Sequence, residues 1–181
     1  MRMGQLSERL DSMTVRVTFP GGGIVAEIRG RNSVHVSFAR GFYQRVHVRD
    51  LENRLAATAK LLWAAHSKQF YRILGEDAGQ VISPFARPVT ERDVEFHRRR
   101  ELLIARGQCG DGRIRLAVRG MRSWRVNIVD DTLRKLPERE FTRRLEVAAG
   151  ALIRDQRERV RELKVQTYDP AFVGDFGGGG V

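Results

Sequence analysis

The sequence predicts an α+β protein that contains two copies of one small fold. Each copy is a three-stranded antiparallel meander followed by a long helix, and the two copies are expected to pack as a pseudo-dimer. Residues recur at an offset of 90 positions, so that Arg29-Gly30 corresponds to Arg119-Gly120 and Leu62 corresponds to Leu152. In each copy, apolar residues alternate with a period of two and then recur every three or four residues. A repeat of this length indicates a duplicated domain rather than a solenoid unit.

The first copy is predicted to begin with a short helix within residues 1–12. Alternating apolar residues then predict three strands separated by Gly-containing turns, over residues 14–19, 24–29 and 34–38. Apolar residues at helical spacing predict an amphipathic helix from Leu51 to Leu74, with Asp50 as its N-cap and Gly75 as its end. This helix should cover the apolar face of the sheet.

The second copy is predicted to begin with its own helix. Thr90 and Asp93 have the spacing of a capping box, and the helix is expected to extend through Ala105. The meander then recurs with Gly110-Asp111-Gly112 as a turn, and a second long helix carries its apolar stripe through Leu163. The predicted organisation is therefore a first copy over residues 1–77, a linker over 78–89, a second copy over 90–166 and a flexible Gly-rich tail over 167–181.

The charge of the chain favours an anionic partner. The 181 residues include 33 Lys and Arg against 22 Asp and Glu, which gives a formal net charge of +11. Nucleic acid is the first candidate, followed by an acidic protein or an anionic lipid surface, and the planar guanidinium suits phosphate. A GC-rich genome also raises arginine at the expense of lysine, so part of this excess can reflect codon usage.

The composition excludes several other classes of protein. Cys109 is the only cysteine, which rules out an internal disulfide and a cysteine-based zinc site. No apolar run approaches the roughly 20 residues that span a bilayer, and a strongly basic amphipathic helix with bulky aromatic residues is missing. A soluble, cytoplasmic protein without membrane binding is therefore expected.

No catalytic signature is found, and no enzyme activity, cofactor or metal is expected. The four histidines fall on separate predicted elements: His35, His47, His66 and His97. Gly21-Gly22-Gly23 lacks the Lys and Ser/Thr of a phosphate-binding loop.

Residues 90–165 resemble the YbaB/EbfC family of nucleoid-associated proteins. The resemblance lies in Ala105 to Gly120 with its Gly-punctuated hairpin, in the strand that ends at Val129-Asp130, and in the long closing helix. It implies the meander-and-helix fold, pairing of the two copies, and binding of double-stranded DNA with little sequence preference in the bacterial nucleoid. Further self-association with a second chain stays open.

Residues 14–74 also resemble the YbaB-like module of type VII secretion-associated proteins of actinobacteria. Val17-Thr18-Phe19-Pro20 and the helix from Leu55 to Leu74 carry this second resemblance. It implies a protein-interaction or chaperone-like accessory function, for which an apolar groove between the copies and an acidic protein partner are expected.

Alternation predicts a cationic sheet face in the second copy. Arg113, Arg115, Arg119 and Arg125 should point away from the face that carries Ile114. Further candidate phosphate ligands lie on the adjacent turn, on the leading helix and in the first copy: Arg122, Arg98, Arg99, Arg100, Arg16, Arg29 and Arg31. Two interpretations stay open, because an exposed strand face is polar in any case and some of these arginines can pair with acids of the other copy.

Overall fold

The computed structural model of this chain describes residues 3–79, 82 and 87–169. The helices are α1 (Met3–Asp11), α2 (Phe42–Arg45), α3 (Val48–Ala78), α4 (Glu91–Leu102), α5 (Thr132–Lys135) and α6 (Glu138–Tyr168). The strands are β1 (Thr14–Thr18), β2 (Ile24–Arg29), β3 (Ser33–Phe38), β4 (Ile104–Gln108), β5 (Ile114–Arg119) and β6 (Ser123–Ile128). They form two antiparallel sheets, ordered β1-β2-β3 and β4-β5-β6, so the predicted α+β class is confirmed.

The duplication extends to every element, including the leading helix. Strands β1 to β3 recur 90 residues later as β4 to β6, helices α2 and α3 recur as α5 and α6, and α1 falls within α4 at the same offset. The strand register recurs as well, since Val15 opposite Ile28 corresponds to Ala105 opposite Val118. The two sheets therefore have the same pleat, and corresponding residues point to corresponding faces.

The first long helix differs at both ends from its prediction. Its N-cap is His47 rather than Asp50, and Asp50 lies in the first turn, where its carboxylate accepts a hydrogen bond from Arg54 at 2.9 Å. Gly75 does not end the helix but is buried within it, since a helical glycine costs only about 1 kcal/mol relative to alanine. The chain leaves the helix at Gly79, whose φ of 64° gives the left-handed C-cap.

The second leading helix is shorter than predicted. The Thr90–Asp93 capping box is confirmed, but α4 ends at Leu102, and Ala105 belongs to β4 rather than to the helix. Ala105 and Gly107 are buried while their neighbours are exposed, so burial here alternates every second residue, as in a strand, rather than with the spacing of a helix.

Two parts of the predicted organisation lie largely outside the described residues. Of the predicted linker, the structure describes residues 78, 79, 82 and 87–89. Helix α6 continues to Tyr168, beyond the predicted start of the tail, and residues 170–181 lie outside the described range.

The two copies pack as a pseudo-dimer around a shared hydrophobic cluster, and two smaller clusters lie within the first copy. Helix α3 covers β1 and β2 of its own sheet and reaches β6, while α6 covers β4 and β5 and reaches β3. One glutamate from each long helix accepts a hydrogen bond from an edge strand of the other copy. Glu146 of α6 accepts the N–H of Val36 at 3.0 Å, and Glu52 of α3 accepts the N–H of Ile128 at 2.7 Å. β3 and β6 are edge strands, so these two N–H groups have no neighbouring strand with which to pair on that side.

The two halves differ in how closely the long helix approaches its own sheet. A Cβ on Gly107 would lie 2.8 Å from Leu152 Cβ and closer still to Ala148 O and Leu152 N. Helix α6 therefore lies at backbone contact with β4, and only glycine fits there. The corresponding residue of the first copy is Val17, whose side chain is half-buried against the sheet's apolar cluster.

Candidate nucleic-acid interface

The outer face of the second sheet carries four exposed arginines around a small residue. Ala117 at the middle of β5 lies opposite Arg106 on β4 and opposite Arg125 on β6. Arg115 and Arg119 lie two residues before and after Ala117 on the same strand, so they point to the same side of the sheet. We call Arg106, Arg115, Arg119 and Arg125 the arginine face.

Strand geometry sets the dimensions of the arginine face. Neighbouring strands lie about 4.8 Å apart, so the Cα atoms of Arg106 and Arg125 are separated by about 10 Å. Arg119 follows Arg115 by four positions along the strand, which corresponds to about 14 Å. Ala117, at the centre of the four guanidiniums, contributes only a methyl group to this face.

Within the part of the chain that the structure describes, no carboxylate forms an ion pair with any of the four guanidiniums of the arginine face. The Nε of Arg115 donates to the carbonyl oxygen of Gly112 at 3.0 Å, which orients the side chain without neutralising it. Near Arg106, the Asp155 carboxylate accepts the backbone N–H of Arg106 at 2.7 Å and pairs with Arg159 at 2.9 Å. The face therefore offers four cations to an outside anion.

The equivalent face of the first sheet has a different charge pattern. Glu27 takes the central position of Ala117, between Arg16 on β1 and His35 on β3. Its carboxylate forms an ion pair with Arg29, and Val25 takes the position of Arg115. The first face is thus mixed in charge, although its strands have the same register as those of the second.

Arg113 was predicted to lie on the cationic sheet face, and the structure shows that it does not belong to the arginine face. It lies just before β5, and its guanidinium pairs with Asp131 at 2.6 Å and with Asp111 at 3.6 Å. The N–H of Val129 donates to the carbonyl oxygen of Arg113 at 3.0 Å, which brings the Arg113 side chain beside the loop after β6. Hydrogen bonds from Lys135 and then Arg113 lower the pKa of Asp131 from 3.8 to about 2. Arg113 is therefore occupied within the protein.

Most of the other predicted phosphate ligands also have partners in the protein. Arg98 pairs with Glu95 at 2.7 Å, Arg122 with Glu101 at 3.5 Å and Arg31 with Asp11 at 2.8 Å, and Arg99 donates to Gln166 at 2.6 Å. The structure separates Arg100 from Arg98, because Arg100 lines a groove between the copies. The leading-helix arginines therefore do not form one phosphate-binding cluster.

Sequence reasoning missed Arg106, the fourth member of the arginine face. The error follows from extending the leading helix through Ala105, which left no strand for Arg106 to occupy. The signal was present, because Arg106 lies at the 90-residue offset from Arg16 of the first predicted strand.

Within residues 3–79, 82 and 87–169, no group of three or more His, Cys, Asp or Glu side chains is arranged to hold a metal ion. Over the same residues, none of the helices has the length and apolar character needed to cross a membrane. Comparisons with protein-family models, with curated proteins and with solved structures returned no match.

Proposed function

We propose that this protein binds double-stranded DNA through the phosphate backbone, with little sequence preference. The observation that carries the proposal is the arginine face, four exposed guanidiniums on one sheet with which no carboxylate of the described residues forms an ion pair. Each contact between an arginine and a phosphate releases cations that were condensed on the DNA. This release is favourable, and it supplies most of the free energy of non-specific binding. The net charge of +11 adds long-range attraction to the same polyanion.

The fold supports backbone contact rather than reading of base edges. Base readout in the major groove needs a helix or a projecting ribbon that enters the groove. The arginine face instead lies on the outer surface of a three-stranded sheet, where the guanidiniums extend toward solvent. Contacts of this kind position a protein on DNA and carry no sequence information.

The resemblance to the YbaB/EbfC family agrees with this proposal. The element order of residues 91–168, a helix, a Gly-punctuated meander and a long helix, is the order which that resemblance implies. We accordingly propose a nucleoid-associated role without catalysis. Of the four histidines, His35 lies on β3, His47 before α3, His66 within α3 and His97 within α4, and the last two line the groove between the copies.

The test compares two quadruple variants that lose the same charge. In the first, Arg106, Arg115, Arg119 and Arg125 are replaced by glutamine; in the control, the ion-paired Arg29, Arg31, Arg98 and Arg143 are replaced. Fluorescence anisotropy on random-sequence duplex DNA is measured across a salt series. The slope of log K against log salt is negative, and each lost phosphate contact should make it shallower by about 0.9, so the slope of the first variant should be shallower by up to about 3.6.

The control variant should keep most of the slope, because its arginines are occupied by Glu27, Asp11, Glu95 and Glu140. Equal loss in both variants would show that net charge rather than the arginine face drives binding. If the unmodified protein fails to bind duplex DNA at about 0.15 M salt, the DNA-binding proposal is wrong. Thermal unfolding of all three proteins verifies that the fold is retained.

A second candidate function is a protein-interaction or chaperone-like accessory module with an acidic partner, as in type VII secretion. One specific observation favours it. A large groove lies between the two copies and combines an apolar lining with basic residues.

A further inference from the structure

A cavity of about 70 Å³ lies between the two copies, at the buried faces of both sheets. Its walls come from β2, β3 and α3 of the first copy and from β5, β6 and α6 of the second. Most of its lining residues form pairs that are related by the internal repeat. On the two long helices these pairs are Leu55 and Leu145, Ala59 and Ala149, and Leu62 and Leu152. The cavity therefore lies where equivalent surfaces of the two copies face each other, and we call it the central cavity.

The central cavity lies between two parts of the hydrophobic core. Ala26, Ile28 and Leu62 form a cluster within the first copy, whereas Leu116 and Leu152 belong to the cluster that both copies share. All five of these residues line the cavity. Protein interiors are normally packed as densely as organic crystals, with few voids larger than a water molecule. The facing side chains of the two copies thus leave a space that ordinary core packing would fill.

The lining of the central cavity is almost entirely apolar. Apart from two tryptophans, its polar residues are Thr58 and Arg125. The Thr58 hydroxyl already donates to the carbonyl oxygen of Arg54 at 2.7 Å, and Arg125 is an exposed member of the arginine face. A cavity holds water only where two to four polar groups surround it, so this space suits an apolar guest better.

Both tryptophans of the chain line the central cavity. Trp63 comes from α3 and Trp124 from β6, and both are half-buried. The Nε1 atom of Trp124 is itself buried, and no group in the described part of the chain accepts a hydrogen bond from it. Buried donors normally have a partner, because leaving them unpaired is costly. A guest that carries one hydrogen-bond acceptor would supply this partner.

The volume of the central cavity limits the size of the guest. A cavity of about 150 Å³ in another protein holds benzene, so in proportion about 70 Å³ holds an apolar group of about three to four carbon atoms. The lining residues on the edge strands β3 and β6 are Val34, Val36 and Trp124, together with Arg125. The first three are half-buried rather than buried, so the cavity lies close to the protein surface on that side.

We propose that the central cavity binds a small uncharged organic molecule with an alkyl group of about three to four carbon atoms and one hydrogen-bond acceptor. The alkyl group contacts the apolar side chains of both copies, and the acceptor receives the N–H of Trp124. This inference does not depend on DNA binding, although Arg125 borders both sites.

The test uses the full chain, labelled with the NMR-active nitrogen isotope, and follows its indole N–H signals. Because Trp63 and Trp124 are the only tryptophans, Trp124→Phe assigns both signals. Butanone is the probe, and propionate is a charged comparison probe with the same number of non-hydrogen atoms. The proposal expects a saturable shift of the Trp124 signal with butanone, at an affinity at least about tenfold higher than for propionate, because burying an unpaired charge is unfavourable.

A pair of matched substitutions on α3 then locates the site. Ala59→Leu replaces a methyl group in the lining by an isobutyl group and should weaken butanone binding by about tenfold or more, because the new side chain occupies the space. Ala57→Leu makes the same change at an exposed position outside the lining and should alter the affinity by less than about twofold. Ala149→Leu is the equivalent change on α6 and repeats the test if Ala59→Leu does not fold.

Trp124→Phe separates the hydrogen bond from the apolar space. With the Trp63 signal as the readout, this variant should bind butanone about two- to tenfold more weakly, which is the net contribution of one hydrogen bond. Xenon needs only an apolar cavity. Its binding, measured by xenon NMR, should not weaken in Trp124→Phe but should be lost in Ala59→Leu.

Four outcomes would overturn the proposal. The first is the absence of a saturable shift of the Trp124 signal with butanone, which would make the cavity a packing void only. The second is equal affinity for propionate, which would reflect charge at the surface. The third is unchanged butanone affinity in Ala59→Leu and Ala149→Leu, and the fourth is unchanged butanone affinity in Trp124→Phe.

Discussion

The centre of the arginine face offers the sharpest single-residue test of DNA binding. Replacing Ala117 by glutamate reproduces on the second sheet the charge that Glu27 places on the first. Directly opposed residues on neighbouring strands have Cβ atoms about 5 Å apart, so the new carboxylate reaches both Arg106 and Arg125. In the first copy Glu27 pairs with Arg29, which lies two residues along the same strand and corresponds to Arg119. We therefore expect the new carboxylate to occupy two guanidiniums, that of Arg119 and that of one cross-strand arginine, Arg106 or Arg125.

The size of the effect follows from the number of guanidiniums occupied. Two lost phosphate contacts should make the negative slope of log K against log salt shallower by about 1.8. Between 50 and 200 mM salt, a slope difference of about 1.8 changes the affinity ratio of the two proteins by about twelvefold. Anisotropy on random duplex DNA across this range measures both the slope and the ratio.

Ala117→Gln is the matched control, because it adds a side chain of the same size without charge. Its slope should stay within about 0.5 of the unmodified protein, since all four guanidiniums remain available. The reciprocal variant Glu27→Ala should steepen the slope by releasing Arg29 on the first face. Indistinguishable slopes for Ala117→Glu and Ala117→Gln would refute phosphate contact at this face.

Two further predictions concern stability. Gly107→Ala should lower the free energy of unfolding by about 3 kcal/mol, because the added methyl group meets the backbone of α6, whereas Gly110→Ala, with open space around it, should be neutral; urea unfolding compares the two, and equal effects would contradict the close approach. The pKa of Asp131 is lowered to about 2, so its pairing with Lys135 and Arg113 stabilises the fold above pH 3.8 and is lost as the pH falls toward 2. The difference in melting temperature between the unmodified protein and Asp131→Asn should therefore shrink from pH 5 to pH 2.5, and a constant difference would exclude this ion pair as its cause.

Local patterns were enough to predict most of the fold. The period-two segments and the long apolar helical stripes identified both meanders and both long helices, because each of these patterns depends on one side of an element being buried. The boundaries failed where two signals competed. Gly75 suggested a helix end but is buried within α3, and Ala105 continued a helical pattern although it already belongs to β4.

The candidate site was predicted only in part. Alternation correctly placed Arg115, Arg119 and Arg125 on one exposed face, since the side-chain direction in a strand is a local property. It also assigned Arg113 to that face, where the structure instead pairs it with Asp131 of a later loop. Pairings across 18 or more residues depend on how the chain folds back, and no local period encodes them.

The amino-acid sequence alone determined that this protein is a duplicated, strongly basic meander-and-helix fold, because periodicity and charge are properties of the chain itself. Only the tertiary structure decided which cations are available to a partner. Arg29 and Arg113 are occupied by acids, while Arg106 joins the arginine face through its register with Ala117. The groove between the two copies likewise depends on the tertiary structure, because residues of α3 and of α4, which are distant in the sequence, both line it.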